Sequence, residues 1–89
     1  MIIEWPANQP KSDRIAEVIK DRIRNGTYGV DEPVASEHQI VAEFGVSRPT
    51  AAKALRKLRQ QGAVYSVRGL GTFARDPKEW IQQGEPDEG

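Results

Sequence analysis

Arg48, Lys53, Arg56, Lys57, Arg59, Arg68 and Arg75 fall in a stretch of 28 residues, from Arg48 to Arg75, that contains no carboxylate. The flanks are acidic on balance, with five basic against eight acidic residues from Met1 to Ser47 and one against five from Asp76 to Gly89. A formal net charge of zero therefore hides a basic middle between two acidic ends. Fixed cations at this density serve to neutralise a polyanion. Groups suited to other chemistry are scarce. One histidine and no cysteine leave no metal-ligand set, no glycine-lysine-serine or -threonine loop is present, and Asp31 and Glu32 are adjacent rather than facing. Neither an enzymatic activity nor a cofactor is expected. A basic helix face taken alone is more often a solvated surface, so the elements carrying these charges must decide the reading.

Ser47 is placed to cap a helix with Pro49 in its first turn, where a missing N–H breaks no intrahelical bond. Ala51, Ala54, Leu55 and Leu58 then recur at helical spacing, and Gly62 ends the run. Ahead of it, Ser36 and Gln39 have the form of a capping box, Ile40, Val41 and Phe44 supply a stripe, and Gly45 is a stop. Only "GVS" separates these two helices. A first helix is predicted from Ser12 or Asp13 as its cap, through Ile15, Ala16, Val18, Ile19 and Ile23, to Gly26. After it, Val34 is expected to add a very short strand, with Pro33 at its edge. Downstream, "AVYSV" and "TFA" flank "RGLG" and read as a hairpin, with Val64, Phe73 and Val67 leaning inward.

Three helices with a tight turn between the second and third, followed by a hairpin, make a mainly α fold with a small β-hairpin, the winged helix-turn-helix. The expected organisation is an N-terminal arm over 1–11, the domain over 12–75 and an acidic, flexible tail over 76–89, with Trp80 and Ile81 as a docking point. In this geometry the third helix enters a major groove with its N-terminal residues at the base edges. Ser47 and the amides after it can meet phosphate, and Arg48 can reach phosphate or a guanine edge. Pro49 shares that first turn, and Lys53 and Lys57, one turn apart, read as a groove or backbone pair. Arg68 at the hairpin tip either enters a minor groove or keeps an edge soluble. Gly69 and Gly71 fit a turn or a close approach to a sugar-phosphate backbone, and Thr72 either donates to phosphate or pairs across the hairpin.

These residues are also familiar as a set. "IRNGTY", "SEHQIVAEFGVSRPT", "ALRKLRQQG" and "GLGTF" resemble the DNA-binding domain of the GntR family of bacterial transcription regulators, in particular its HutC-like branch, over about Asp13 to Ala74. The resemblance implies operator binding as a dimer at a short palindrome, usually with a C-terminal domain that senses a metabolite. It implies contact roles for the serine-arginine pair, Ser47 and Arg48, and for Thr50. His38 stands where the family usually has arginine, and its imidazole lacks the forked guanidinium; a surface role and DNA contact stand about even for it. Ala52 stands where many relatives have another arginine; it can meet a thymine methyl but cannot pair with guanine. Arg68 keeps the basic type of the wing, whereas Leu70 replaces a frequent arginine or lysine. Val34 and Ala35 replace the usual leucine-proline.

Eighty-nine residues suit one domain, no apolar run approaches the roughly 18 to 20 residues of a membrane span, and "MIIEWP" has neither a basic leader nor a long apolar region. The expectation is a cytoplasmic, nucleoid-associated regulator, most often a repressor in its family, with double-stranded DNA as partner, no membrane and no small-molecule effector sensed by this chain. Either it is free-standing or it is a piece of a longer regulator; its initial methionine favours the first. Trp5, Trp80 and Ile81 either help two copies pair on DNA or cover the core. The competing class is a winged-helix architectural or protein-interaction module with little sequence preference.

Overall fold

The computed structural model describes residues 10–81. They form helix α1 (Lys11–Arg24), helix α2 (Glu37–Phe44), helix α3 (Arg48–Gln60), strand β1 (Val64–Val67), strand β2 (Gly71–Ala74) and one 3-10 turn, Pro77–Glu79. The expected first-helix cap is corrected. Pro10, at φ −58° and ψ 144°, is the N-cap of α1, and its carbonyl accepts from the N–H groups of Asp13 and Arg14 at 3.0 and 3.2 Å. Ser12 and Asp13 therefore already lie inside the first turn, and Ser12 points inward at 3 % exposure.

The other caps form as their residues dictate. At α2 the Gln39 N–H donates to Ser36 Oγ at 3.2 Å while the Ser36 N–H donates to Gln39 Oε1 at 2.8 Å, a closed capping box. At α3 the Thr50 N–H donates to Ser47 Oγ at 3.3 Å. Gly45 ends α2 at φ +66°, a left-handed conformation that disfavours any side chain by roughly 1 to 2 kcal/mol. Past α3, the Ala63 N–H donates to the Leu58 carbonyl at 2.9 Å and the Gly62 N–H to the Arg59 carbonyl at 3.1 Å, a Schellman ending.

The core sits where α1 and α2 pack against α3. Ile15 and Ile19 of α1, Ile40 of α2 and Leu58 of α3 are fully enclosed. Each such side chain contributes about 1.5 to 3 kcal/mol by leaving water, which is a large share for a chain this short. Val64 and Ala74, paired across the hairpin, extend the core to the sheet.

β1 and β2 pair antiparallel, with Tyr65 opposite Phe73 and Val67 opposite Gly71. The outer edge of β2 is also occupied: Pro33 bridges to Phe73, the Val34 N–H donates to the Thr72 carbonyl at 3.0 Å, and the Ala74 N–H donates to the Glu32 carbonyl at 2.8 Å. In place of the short strand expected at Val34, the chain makes an isolated bridge at Pro33. Val67 does not lean inward as expected, being 36 % exposed. Side chains alternate along a strand, so Val67, three residues after the buried Val64, falls on the opposite face.

Behind α3 the chain doubles back. The Trp80 indole is partly buried against the core and donates to the Arg75 carbonyl at 2.8 Å, with the Arg24 guanidinium 5.1 Å from its ring centre. The Ile81 N–H donates to the Gln61 carbonyl at 2.8 Å. Trp80 thus covers the core, and Ile81 is exposed. Trp5, the N-terminal arm before Pro10 and the acidic stretch after Ile81 lie outside the described residues.

Arg22 clamps the far ends of α1 and α2 by donating to both carboxylate oxygens of Glu43 and, at 3.2 Å, to the Tyr28 hydroxyl. The Arg22 hydrogen bonds hold the Glu43 carboxyl below its ordinary range, outweighing the opposite effect of burial. A depressed folded-state value means stabilisation that is present above the ordinary carboxylate range and is lost as pH falls through the folded-state value. Glu43→Gln should therefore lower the thermal midpoint at neutral pH, and the gap to the native protein should close on acidification. A gap independent of pH between neutral and pH about 2 would assign the loss to packing instead.

Candidate nucleic-acid interface

The interface is built on the start of α3. Ser47, as N-cap, leaves its backbone extended at φ −73° and ψ 161° and turns its hydroxyl over the first turn, where it also meets the Thr50 hydroxyl at 3.0 Å. Pro49 occupies that turn without losing an intrahelical bond. The positive end of the α3 dipole lies at these residues, which favours an anion beside them. Arg48 projects beside them with a side chain 82 % exposed, and its Nε lies 3.3 Å from Glu37 Oε1 at the start of α2.

Further along α3, buried Ala51, Ala54, Leu55 and Leu58 define the inner side. Pro49, Lys53, Arg56 and Gln60 follow one another at helical spacing on the opposite, exposed side. Lys53 and Arg56 carry no carboxylate partner among the described residues, and neither does Arg59. Arg56 belongs to this stripe as fully as Lys53 does, although sequence reasoning gave it only a general electrostatic part. The signal was its seven-residue interval from Pro49. Lys57 is different: its ammonium lies 2.7 Å from Asp13 Oδ1 on α1, so its charge already has a partner within the domain.

The wing contributes its tip. The Leu70 N–H donates to the Val67 carbonyl at 3.0 Å, closing a turn with Gly69 at φ +81°, and Gly71 follows at φ +122°. Arg68 and Leu70 are exposed, the latter at 74 %. Thr72 pairs with Ser66 across the hairpin and is only half-buried. His38 sits on the exposed side of α2, one residue beyond Glu37. Tyr65, stacked on Phe73 at 5.8 Å, donates to Asp31 at 2.8 Å, and that bond raises its phenol above the ordinary value. The wing is thereby fixed to the loop between α1 and α2.

The charge balance separates this face from the rest. On α1, Lys20, Arg22 and Arg24 are each paired with a carboxylate, whereas Lys53, Arg56, Arg59 and Arg68 are left open to solvent. Among the described residues no group of three or more metal-type ligands occurs.

A family model described as "Bacterial regulatory proteins, gntR family" matches residues 11–74, which is the whole of the helical core and wing. The chain belongs to the gntR family. It is 35 % identical over 78 residues to the histidine utilization repressor of Klebsiella aerogenes, covering 81 % of this chain and 32 % of that protein. It is 40 % identical over 65 residues to the transcriptional repressor NagR of Bacillus subtilis, covering 73 % and 27 %. The chain thus spans about a third or less of the length of these relatives. Among solved structures, the AraR DNA-binding domain in complex with operator ORX1 superposes with a TM-score of 0.72 at 36 % identity, covering 82 % of this chain and 92 % of that one. Winged-helix architecture and membership in a family of non-enzymatic regulators are therefore established together. Arg48, Lys53 and Arg56 are exposed.

Proposed function

We propose that this chain binds double-stranded DNA at specific sites and acts as a transcription regulator, as a repressor. One observation carries the reading: Lys53, Arg56 and Arg59 of α3 and Arg68 at the wing tip have no carboxylate partner among the described residues, whereas Lys20, Arg22 and Arg24 of α1 are each paired with one. Open cations beside a helix N-terminus are placed for phosphate, and Arg48 is placed for a guanine edge. The names of the relatives support the same reading, since they are repressors and one solved relative is held on its operator.

In this assignment Ser47, Pro49 and Thr50 bring the start of α3 against the backbone, Arg48 reads bases, and Lys53 lies in the groove. Lys57 contributes charge from the α1 side, and His38 donates from α2. Arg68, Gly69, Gly71 and Thr72 form the wing contact. One module of this size covers a single half-site, so specificity comes from two copies on a short pseudo-palindrome. No helix among the described residues is long and apolar enough to cross a membrane, which is compatible with action on DNA in the cytoplasm.

Selection of bound duplexes from a random library tests the function directly. Enrichment of a two-fold symmetric site at moderate salt supports it, and the half-site spacing gives the dimer geometry. Enrichment of nothing, with binding that falls alike on every duplex as salt rises, would make the domain an architectural binder. Arg68→Ala should weaken binding to the selected site and leave the thermal midpoint within about 2 to 4 °C, because an exposed tip residue away from caps and core changes stability by less than about 0.5 kcal/mol. Unchanged affinity would leave the hairpin as scaffold.

A further inference from the structure

Strands β1 and β2 are four residues each, and a two-stranded hairpin of this size is marginal when it stands alone. The core holds its base, through Val64 and Ala74, while Val67, Arg68 and Leu70 toward the tip are exposed. Its order therefore depends on what grips the face turned away from the core. That face carries Tyr65 and Phe73, which are cross-strand partners stacked at 5.8 Å, with the Arg75 guanidinium 5.2 Å from the Tyr65 ring centre. Pro33 bridges to Phe73 along the edge of β2 that β1 leaves open. The Tyr65 hydroxyl thus reaches from β1 across the width of β2 to donate to Asp31 Oδ1 at 2.8 Å.

Asp31 holds both strands at once, since its own N–H donates to the Ala74 carbonyl of β2 at 2.7 Å. It is also the one non-glycine residue at positive φ among the described residues, at +64°. Glycine would take this conformation without strain, so the carboxylate that stands here is matched to a use of its side chain. We propose that Asp31 and Tyr65 are positioning residues for DNA binding: their bond orders the wing, in free protein, in the orientation in which Arg68 meets the duplex. A wing ordered beforehand does not have to be immobilised on binding, and affinity rises by the ordering cost that is avoided. The proposal rests on the DNA-binding reading and adds to it two residues that act through Arg68. The bond is exposed, so it contributes to the local order of the wing far more than to global unfolding.

The test compares Tyr65→Phe, Asp31→Gly and Asp31→Asn in two measurements. The first is amide hydrogen exchange of the free protein, which needs no DNA. Tyr65→Phe keeps the stacked ring and removes the bond, and it should speed exchange several-fold at Leu70, bonded to Val67 in the turn, and at Val34, bonded to Thr72. Exchange at the enclosed Ile19 should not change. An equal rise at Ile19, or no rise at the wing, overturns the proposal whether or not the protein binds DNA. The second is affinity for the selected duplex. Tyr65→Phe and Asp31→Gly should each weaken it by about three- to tenfold, the worth of one hydrogen bond. Asp31→Gly is informative by sign, because loss of a carboxylate alone would strengthen binding to a polyanion, and relief of the positive φ should keep the thermal midpoint from falling. Asp31→Asn, which keeps an acceptor and tolerates the left-handed backbone, should restore native affinity and wing protection. In an Arg68→Ala background Tyr65→Phe should have no further effect on affinity. Additive losses there, or failure of Asp31→Asn to restore, overturn the positioning role, while binding that still depends on Arg48 leaves the DNA reading intact. A native protein that binds no duplex, with wing exchange responding as expected, defeats the DNA reading and with it the functional part of the proposal.

Discussion

Replacing Arg48 with alanine should weaken binding to the selected duplex by about 1 to 3 kcal/mol, roughly five- to 150-fold, and should weaken binding to scrambled DNA far less. The geometry gives the reason. Arg48 is the first residue of α3, its side chain is 82 % exposed, and Glu37 engages it through Nε. The two terminal nitrogens of the guanidinium, the pair that can bridge guanine O6 and N7, have no partner among the described residues. Lysine at this position should not restore discrimination, because an ammonium lacks the fork. The thermal midpoint should stay close to that of the native protein, since an exposed ion pair of this kind contributes about 0 to 1 kcal/mol. Competition binding on the two duplexes decides the matter: equal loss on both would make Arg48 a phosphate contact.

Leu58→Ala should destabilise the domain by about 2 to 5 kcal/mol, which approaches the whole stability of a small domain at the low end of the usual 5 to 15 kcal/mol. Leu58 is completely enclosed, lies on the helix against which both α1 and α2 pack, and lends its carbonyl to the Schellman ending of α3. Removing its side chain leaves a cavity shared by three elements that cannot all close on it. Urea unfolding measures the loss. Leu70→Ala is the matched control, since Leu70 is 74 % exposed at the wing tip and its truncation should change stability by less than about 0.5 kcal/mol. A loss below about 1 kcal/mol for Leu58→Ala would show that the core is not centred on α3.

What the sequence discloses here depends on how local the controlling interactions are. The capping box at Ser36 and Gln39, the Ser47 cap and the stops at Gly45 and Gly62 are each decided within a few residues, and all are present. The α1 start was misread because Ser12 is a good cap by type, yet its side chain is recruited into the interior and Pro10 begins the helix instead. Val67 was misread because an apolar letter at a strand end was given precedence over the two-residue period counted from Val64. The basic stretch pointed correctly to α3 and the wing, but composition alone does not say which cation has a counter-ion. The contact of Lys57 with Asp13 joins residues 44 positions apart, and only the packing of α1 on α3 brings them together.

The return of the chain past Gly62 has a mechanical side. A β-carbon built on Gly62 would come within 3.2 Å of the Ile81 backbone nitrogen, and that nitrogen is itself hydrogen-bonded to Gln61 at the end of α3. A helix of 13 residues is a rod roughly 20 Å long, so the segment at Ile81 grips one end of it while Ser47 to Thr50 occupy the other. The Ile81 anchor and the exposed Arg48 are therefore joined by one continuous helix, at opposite ends of it.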